Sequence, residues 1–362
     1  MRMPVEERKI VKFGDRRLGD SEPVFVTYEA GPTHNGLESA KRLVTYAAEA
    51  GADAVKFQML DPDRLVADRS QMFEFDVLLD RETGKTETIK APLYDLFVSR
   101  SLKKDEWRAL KAHADKLKLA FFATAGFFDE IDFLAELGCH SFKIASSDVN
   151  HLPLIRRAAR TGMCLQLDTG NSTIGEIETA IDVIRAEGNE NIIIHHCPSG
   201  YPARLEGINL NIITTLRKMF PYPVAFSDHS PGWDMDVAAV TLGANLVEKT
   251  ISEDRTTRSV EHIFSIEPAD MKKFVETVRG IEIALGQHRR IMYPPELAKR
   301  QTNRRSTHLT QAARAGSKLA DLQVEFRRPG LGLSPADYEI LADRALKADL
   351  PAGHRLTLSD IA

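Results

Sequence analysis

The 362-residue chain carries 48 Lys and Arg residues against 52 Asp and Glu residues, a formal net charge of −4. This mixed balance excludes the concentrated basic surface of nucleic-acid-binding proteins. No apolar run approaches the ~20 residues of a membrane span, so we expect neither nucleic acid nor membrane as a partner. The three cysteines, Cys139, Cys164 and Cys197, suit neither a disulfide framework nor a zinc site. They indicate a reducing compartment and hence a cytoplasmic protein.

Apolar runs alternate with helical patterns eight times, and the last helical pattern runs from Asp270 to Leu285. Strands buried on both faces of a parallel sheet are near-continuous hydrophobic runs. Eight strand–helix units therefore predict an α/β fold, a closed (β/α)8 TIM barrel. The predicted strands are Val24–Glu29, Ala54–Gln58, Leu119–Thr124, Ser141–Ser146, Cys164–Thr169, Ile192–Cys197, Val224–Asp228 and Asn245–Ile251.

The connection from Leu60 to Lys103 is long, polar and acidic, and Arg81-Glu-Thr-Gly84 predicts a hairpin turn within it. Long loops in compact domains are often functional, so one interpretation is a lid over the rim of the barrel. A solvated insertion without a role is the other interpretation, and the sequence does not decide between them.

The composition changes after Gly286, where Tyr293-Pro-Pro-Glu296 and a basic run suggest a linker. We therefore predict a barrel domain over residues 1–287, a linker over 288–303 and a second domain over 304–362. The second domain consists of short strands and turns, with one helical pattern from Pro335 to Leu346. A domain of this size has a small core, so we expect it to dock on a barrel.

Polar side chains follow the predicted strands, and a barrel brings such strand ends to one rim. Lys56 and Lys143, with several hydroxyls, suit a phosphate or carboxylate ligand. A carboxylate and His229 at the same rim suit acid–base chemistry or a divalent metal. Adjacent strand residues point to opposite faces, so at least one of His195 and His196 is structural. The residues alone predict a barrel enzyme with an anionic substrate.

Five motifs lie at these strand ends. They are Tyr28-Glu-Ala-Gly-Pro-Thr-His-Asn-Gly36, Gly51-Ala-Asp-Ala-Val-Lys-Phe-Gln58, Phe142-Lys-Ile-Ala-Ser-Ser-Asp148, Cys197-Pro-Ser-Gly-Tyr-Pro202 and Ser227-Asp-His229. Together they resemble the motifs of the sialic acid synthase (N-acetylneuraminate synthase) family. In the second domain, Arg305-Ser306 and Arg327-Arg-Pro-Gly330 are similar to the antifreeze-like SAF domain. The resemblance implies a TIM barrel followed by a small C-terminal SAF domain of the β-clip type.

That family condenses phosphoenolpyruvate with an N-acylated hexosamine, so the resemblance implies a C–C-forming transferase that makes a nonulosonic, sialic-acid-like acid and phosphate. By the same resemblance, the residues around phosphoenolpyruvate are Lys56, Thr124, Lys143, Ser146, Ser199 and Ser227. The residues facing the sugar are Gln58, Tyr201 and Glu261, with Arg328 reaching in from the other subunit of a domain-swapped homodimer. The catalytic set is Glu29, which orients or deprotonates a water, with Lys143, Asp148 and His229, which holds Mn²⁺ or Mg²⁺.

Four positions depart from the family pattern. Thr250 replaces the second metal-ligating histidine, and a neutral hydroxyl is a weaker ligand than imidazole, which weakens the prediction of a metal. Asp168 replaces a serine on the phosphate side and would repel a phosphate unless a metal or lysine intervenes. Glu261 and Asp148 replace an aspartate and a glutamate. These changes predict a divergent member in which Asp168 is a candidate replacement ligand beside His229.

Two other functions stay open. One is a catalytically altered paralogue that binds sugar without turnover, although retention of Glu29, Lys56, Lys143 and His229 counts against it. The other is a different enolpyruvate-dependent aldol synthase or a lyase, whose product would lack the expected pyruvyl increment. The sequence identifies neither the acceptor sugar nor its phosphorylation, and it leaves the role of His262 open.

Overall fold

The computed structural model describes residues 8–362, so residues 1–7 of the predicted barrel domain lie outside the described part. Its strands are β1 Val11–Phe13, β2 Arg16–Leu18, β3 Phe25–Glu29, β4 Ala54–Gln58, β5 Met72–Leu78, β6 Thr86–Pro92, β7 Ala120–Thr124, β8 Ser141–Ile144, β9 Cys164–Asp168, β10 Ile192–His196, β11 Val224–Asp228, β12 Leu246–Thr250, β13 Ser306–Leu309 and β14 Val324–Arg327. Its helices are α1 Leu37–Glu49, α2 Pro62–Leu65, α3 Leu93–Val98, α4 Lys104–Lys116, α5 Phe128–Glu136, α6 Leu152–Ala159, α7 Ile174–Ala186, α8 Leu205–Ile208, α9 Asn211–Met219, α10 Asp234–Thr241, α11 Pro268–Leu285, α12 Pro294–Asn303 and α13 Pro335–Ile340. Over the described residues, no helix is both long and apolar enough to cross a bilayer.

Eight parallel strands close into one barrel in the order β3, β4, β7, β8, β9, β10, β11, β12 and back to β3. The predicted barrel is confirmed, and its strand bounds agree with prediction to within two residues. The largest difference is at β8, which was predicted to continue to Ser146 but ends at Ile144. The chain turns there because residues Ser146–Asp148 form a 3-10 turn, in which the Asp148 N–H donates to the Ala145 carbonyl at 2.9 Å.

The hairpin formed by β1 and β2 closes the N-terminal end of the barrel. Phe13 is fully buried there, with its ring centroid 4.8 Å from that of Phe25 and 5.3 Å from that of Phe122. These aromatic contacts fill the space inside the first residues of the barrel strands, so this end is solid core. The opposite end, where the strands finish, is the one open to ligands.

The long connection after β4 is ordered. Strands β5 and β6 pair antiparallel from Met72–Pro92 to Leu78–Thr86, with the predicted turn at residues 81–84 in their loop. Helix α3 follows, and Leu96 packs with Phe75 and Val77 against Val260 from the segment after β12. This hairpin-and-helix insertion lies at the ligand end of the barrel because Val260 and Leu96 both line the cavity described below.

The described chain separates into two compact units, one ending at Gly286 and the other covering Gln287–Ala362. The second unit has the two-stranded sheet β13–β14 and a leucine-rich core. The structure adds a helix to the predicted linker and shortens one predicted helix. Helix α12 lies inside the predicted linker, with prolines at its start. Helix α13 ends at Ile340, because the Leu346 N–H donates to the Ser317 carbonyl and Leu346 bridges to Ile361. The SAF assignment stays a prediction.

Candidate active site

A cavity of about 380 Å³ lies at the C-terminal ends of the barrel strands. All eight strands, or the residues directly after them, contribute to it, as barrel geometry requires for a rim site. The predicted site residues that line this cavity are Glu29, Lys56, Gln58, Thr124, Ser146, Asp148, Asp168, Tyr201, His229 and Glu261. The insertion supplies a second wall, which is largely apolar and consists of Leu60, Leu65, Phe73, Leu93, Leu96, Phe97 and Arg100.

Two buried lysines meet on one carboxylate oxygen at the floor of the cavity. The Nζ atoms of Lys56 and Lys143 lie 2.8 Å and 2.7 Å from Oε1 of Glu248. All three residues are at most 5% exposed. Burial raises the pKa of Glu248, but the two lysine charges outweigh burial and hold that pKa below its ordinary value. Glu248 is therefore an anion at neutral pH and fixes both cations in place.

Lys143 also contacts residues of the neighbouring strands. Its Nζ lies 3.0 Å from Oδ1 of Asp168 and donates to Oγ of Ser227 at 3.0 Å. Ser227 Oγ is 2.8 Å from Nδ1 of His195, which is buried inside the barrel. Burial, with the charge of Lys143, lowers the pKa of His195 to about 3, so this imidazole is neutral. Asp168 thus lies beside a lysine, one of the two kinds of neighbour that would offset its repulsion of a phosphate.

Glu29 is placed at the end of β3 by a local backbone contact. Its Oε1 accepts from the Gly31 N–H at 2.7 Å, and its Oε2 lies 2.5 Å from Nζ of Lys56. Burial raises the pKa of Glu29 despite the lysine, so this carboxylate is a stronger base than an exposed one. Its position next to Gln58, which donates to Oε2 at 3.3 Å, ties it to the cavity wall.

His229 follows β11 and faces the same cavity. Its Nδ1–H donates to the Pro198 carbonyl at 3.3 Å, which leaves Nε2 as the nitrogen with a lone pair. The Tyr201 ring centroid lies 4.7 Å from the imidazole centroid. Burial lowers the pKa of His229, so the neutral tautomer that can accept a proton or bind a metal is favoured.

Glu261 occupies a strained backbone position, with φ of 71°. A glutamate in the left-handed region costs free energy, and such positions cluster at ligand sites. Burial, together with the negative charge of Glu29, raises the pKa of Glu261 to about 7. The carboxyl group can therefore act as either donor or acceptor near neutral pH.

Five predicted residues lie off the cavity wall. Lys143 and Ser227 sit beneath it, in the buried network of Glu248 and Asp168. The remaining three are Ser199, which is exposed and donates to Asn171 at 2.8 Å, Thr250, which is buried at the end of β12, and Arg328, which is exposed in the second unit. The roles assigned to all of these side chains stay predictions.

Sequence reasoning gave no role to two residues of this site. Glu248 stands two residues before Thr250 on the same face of β12, and this alternation was the available signal. Arg100 comes from the insertion, is 5% exposed and lines the cavity. Nothing in its local sequence distinguishes it from a solvated arginine.

The residues present fit a divalent ion that takes one or two protein ligands and is otherwise bound by water and substrate oxygens. Over residues 8–362, no three His, Cys, Asp or Glu side chains cluster as a metal cage. Nε2 of His229 and the carboxylate of Asp168 face one cavity, and the described contacts of Asp168 use Oδ1 only. Mg²⁺-type ions commonly take one or two protein ligands and complete their shell with water and substrate oxygens.

Comparison with known proteins gives consistent matches. The chain is 32% identical to the N,N'-diacetyllegionaminic acid synthase of Legionella pneumophila over 350 residues, covering 95% of this chain and 96% of that protein. A sialic acid synthetase structure from Leptospira borgpetersenii, solved with citrate, is similar with a TM-score of 0.70 and 29% identity, covering 81% of this chain and 95% of that one.

A structure of the spore coat polysaccharide biosynthesis protein SpsE from Bacillus subtilis aligns with a TM-score of 0.65 and 30% identity, covering 98% of this chain and 99% of that one. The profile of the NeuB family matches residues 43–290, which run from within α1 through α11 and contain seven of the eight barrel strands. This match covers more than half of the sequence and most of the barrel that carries the rim residues. The chain therefore belongs to the NeuB family.

Proposed function

We propose that the protein condenses phosphoenolpyruvate with the open-chain aldehyde of an N-acylated hexosamine, giving a nonulosonic acid and phosphate. The observation that carries this proposal is the convergence of Lys56 and Lys143 on Glu248 beneath a cavity that Glu29 and His229 also line. Two buried cations suit an enolpyruvate that carries both a phosphate and a carboxylate. The relatives named for sialic and legionaminic acid synthesis support the same reaction class.

The reaction forms a carbon–carbon bond and a carbon–oxygen bond from water, and it breaks the carbon–oxygen bond to phosphate. The methylene of phosphoenolpyruvate attacks the aldehyde carbon, and the aldehyde oxygen takes up a proton. Water adds to C2 of the enolpyruvate while Glu29 accepts its proton, a role that the raised pKa of this carboxylate favours. The bond from C2 to the phosphate oxygen then breaks, the C2 hydroxyl becomes the ketone, and its proton leaves with the phosphate. Lys56 and Lys143 stabilise this leaving phosphate.

The sugar end of the cavity contains Gln58, Tyr201 and Glu261, which can hydrogen-bond hydroxyl and amide groups. A divalent ion would be held by His229 and Asp168 and would supply Lewis-acid polarisation of a substrate oxygen. Titration with Mn²⁺ in the presence of phosphoenolpyruvate tests this: Asp168→Ala and His229→Ala should both weaken binding. Unchanged Mn²⁺ affinity in Asp168→Ala would remove Asp168 from the metal site.

The reaction itself is tested by phosphate release from phosphoenolpyruvate with a panel of N-acylated hexosamines, and by the mass of the product. Lys143→Met should lower kcat/KM by roughly 10²–10³-fold, because a preorganised charge at the leaving group is lost. Lys111→Met is the matched control, since Lys111 is also buried but pairs with Asp115 on α4. Absence of phosphate release with every sugar would favour a binding paralogue, and a product without the pyruvyl increment would favour another synthase or a lyase.

We infer that the second unit, as an SAF domain, supplies Arg328 to the barrel of a second subunit. Mixing two inactive variants tests this, because a swapped heterodimer of Arg328→Ala and Lys143→Met chains contains one intact site. Random exchange at equal amounts should then restore about a quarter of the wild-type activity. Recovery of none would contradict the exchange of Arg328 between subunits.

A further inference from the structure

Arg100 is a buried cation in the wall between two cavities. It follows helix α3 and is 5% exposed. Its side chain lines both the 380 Å³ cavity and a second, polar cavity of about 440 Å³. One of its nitrogens, Nη2, donates to Oγ of Ser259 at 2.7 Å. A guanidinium has five N–H donors, so most of its hydrogen-bonding capacity is available to a ligand.

The charge of Arg100 has no carboxylate partner among residues 8–362, since no acidic oxygen lies within the 4.0 Å that defines an ion pair. Other arginines nearby have one. Arg42 pairs with Glu253, and Arg69 pairs with Asp63. A buried cation without a counter-ion is costly, and removing such a charge is often neutral or stabilising. The position of Arg100 is thus unfavourable for the protein alone.

The surroundings of Arg100 compensate its charge only in part. Burial lowers the pKa of Arg100, and the charge of Glu261, from beyond ion-pair distance, offsets this only partly. The acidic residues of the polar cavity, Glu253 and Asp254, pair instead with Arg42 and Arg81. In the polar cavity Arg100 faces His34 and His262, and Nδ1 of His34 is itself buried without a hydrogen-bond partner. Burial, with the positive charge of Arg100, lowers the pKa of both histidines to about 4, so both are neutral. In the 380 Å³ cavity, its neighbours along the insertion are Leu93, Leu96 and Phe97. An apolar surround strengthens any interaction with an anion.

The lysines on the cavity floor and Arg100 belong to different parts of the site. Lys56 and Lys143 are held together by Glu248, on barrel strands, whereas Arg100 belongs to the insertion that forms the second wall. If the enolpyruvate phosphate takes the lysines, the arginine is left for the other substrate.

We propose that Arg100 binds an oxyanion, a phosphate or a carboxylate, that is carried by the acceptor sugar. This rests on the proposed condensation and narrows its acceptor to an anionic N-acylated hexosamine. The planar guanidinium matches the two oxygens of either group in a bidentate arrangement. A neutral acceptor would leave the buried cation without a counter-ion, so the same residue selects against it.

The test compares three acceptors, a neutral N-acetylhexosamine, its 6-phosphate and the corresponding 6-carboxylate, in wild type, Arg100→Met and Arg100→Lys. With the preferred anionic acceptor, Arg100→Met should raise KM by about ten- to a hundredfold, and KM for the neutral sugar should not rise. With the anionic acceptor, the KM of Arg100→Lys should lie between those of wild type and Arg100→Met, because lysine keeps the positive charge but cannot form the bidentate contact of a guanidinium. The matched control is Arg69→Met in the same insertion, where the side chain is 65% exposed, and it should behave as wild type.

Titration calorimetry with the same three sugars separates this inference from the condensation. Equal use of neutral and anionic acceptors, or equal loss of both in Arg100→Met, overturns the role of Arg100. If no sugar releases phosphate, the condensation is wrong, and binding decides: an anionic sugar that binds wild type and not Arg100→Met supports the inference, while equal binding or no binding overturns it. The melting temperature of Arg100→Met should not fall, whereas a purely structural arginine would lower it. If Arg100→Met does not fold, the same comparison of neutral and anionic sugars is made between Arg100→Lys and wild type.

Discussion

At the scale of single residues, the ionisation of Glu248 depends on the two lysines that contact it. Glu248 accepts from two lysines through one oxygen, while its other oxygen, Oε2, is buried without a hydrogen-bond partner. A carboxylate in this position offsets the repulsion between the two lysine charges while no ligand anion is bound. Its loss should therefore affect stability as well as binding.

Glu248→Gln should lower the free energy of unfolding by roughly 3 kcal/mol, because two buried lysines lose their shared counter-ion. Inorganic phosphate should restore part of this loss by taking the place of the carboxylate. Urea denaturation with and without phosphate measures both effects. Glu87→Gln, which removes an exposed ion pair with Arg258, is the control and should change the free energy of unfolding far less, because surface ion pairs contribute little.

Glu261 should make stability depend on pH near neutrality. Its folded-state pKa of about 7 lies above the ordinary value of 4.5, so its contribution is fully present below pH 4.5 and is lost as the pH rises through 7. Glu261→Gln should remove this loss, and the stability difference between variant and wild type should grow from pH 5 to pH 8. Urea denaturation at several pH values measures it.

Glu253→Gln provides a control of opposite sign for Glu261. A hydrogen bond from Arg42 lowers the pKa of Glu253, so its contribution is present at neutral pH and lost as the pH falls through the lowered folded-state pKa. If both variants show the same pH trend relative to wild type, the raised pKa of Glu261 is contradicted.

At the scale of elements, the insertion after β4 turns an open barrel rim into a cavity. Its hairpin and α3 share a small core with Val260, so the segment that carries Glu261 is packed against them. Gln58 and Tyr201 line the same cavity, and in the proposed reaction this is the sugar side of the site. Of the two interpretations open from sequence, the cavity lining favours the lid.

Phe97→Ser should raise KM for the acceptor sugar about tenfold while KM for phosphoenolpyruvate stays constant, because Phe97 lines the apolar wall. Val98→Ser is the matched control, since the adjacent Val98 is 49% exposed. Steady-state kinetics with each substrate varied in turn separates the two constants. An equal rise in both KM values would mean that the wall is not specific to the sugar.

At the scale of the whole barrel, stability and chemistry lie at opposite ends. Phe13 plugs the N-terminal end, whereas every candidate catalytic side chain lies at or beneath the C-terminal rim. This separation is expected of barrels, in which loops at one end vary in function while the other end contributes to stability.

Phe13→Ala should therefore lower the free energy of unfolding by about 3–5 kcal/mol without changing either KM. Phe128→Ala, in which the ring is 48% exposed, should change stability by about 0.5 kcal/mol or less. Chemical denaturation and steady-state kinetics on the same samples provide the comparison. A changed KM in Phe13→Ala at a temperature where it is folded would contradict the separation of the two ends.

The sequence alone determined the barrel and much of its rim. Runs of β-branched residues such as Ile192-Ile-Ile194 favour strands buried on both faces, and the alternation along β4 places Lys56 and Gln58 on one side. These are local properties, set by the backbone period and by the cost of exposing apolar surface. They can therefore be predicted from a short stretch of sequence, without knowledge of its contacts in the fold.

Only the tertiary structure decided which charges meet. Glu248 lies 192 residues from Lys56 along the chain and 105 from Lys143, and the shared oxygen depends on how the barrel closes. The same holds for Arg100, since burial next to Ser259 and the absence of a carboxylate partner among the described residues depend on how the insertion folds over the rim. Long-range electrostatics and burial are set by packing of distant segments, which no local pattern encodes.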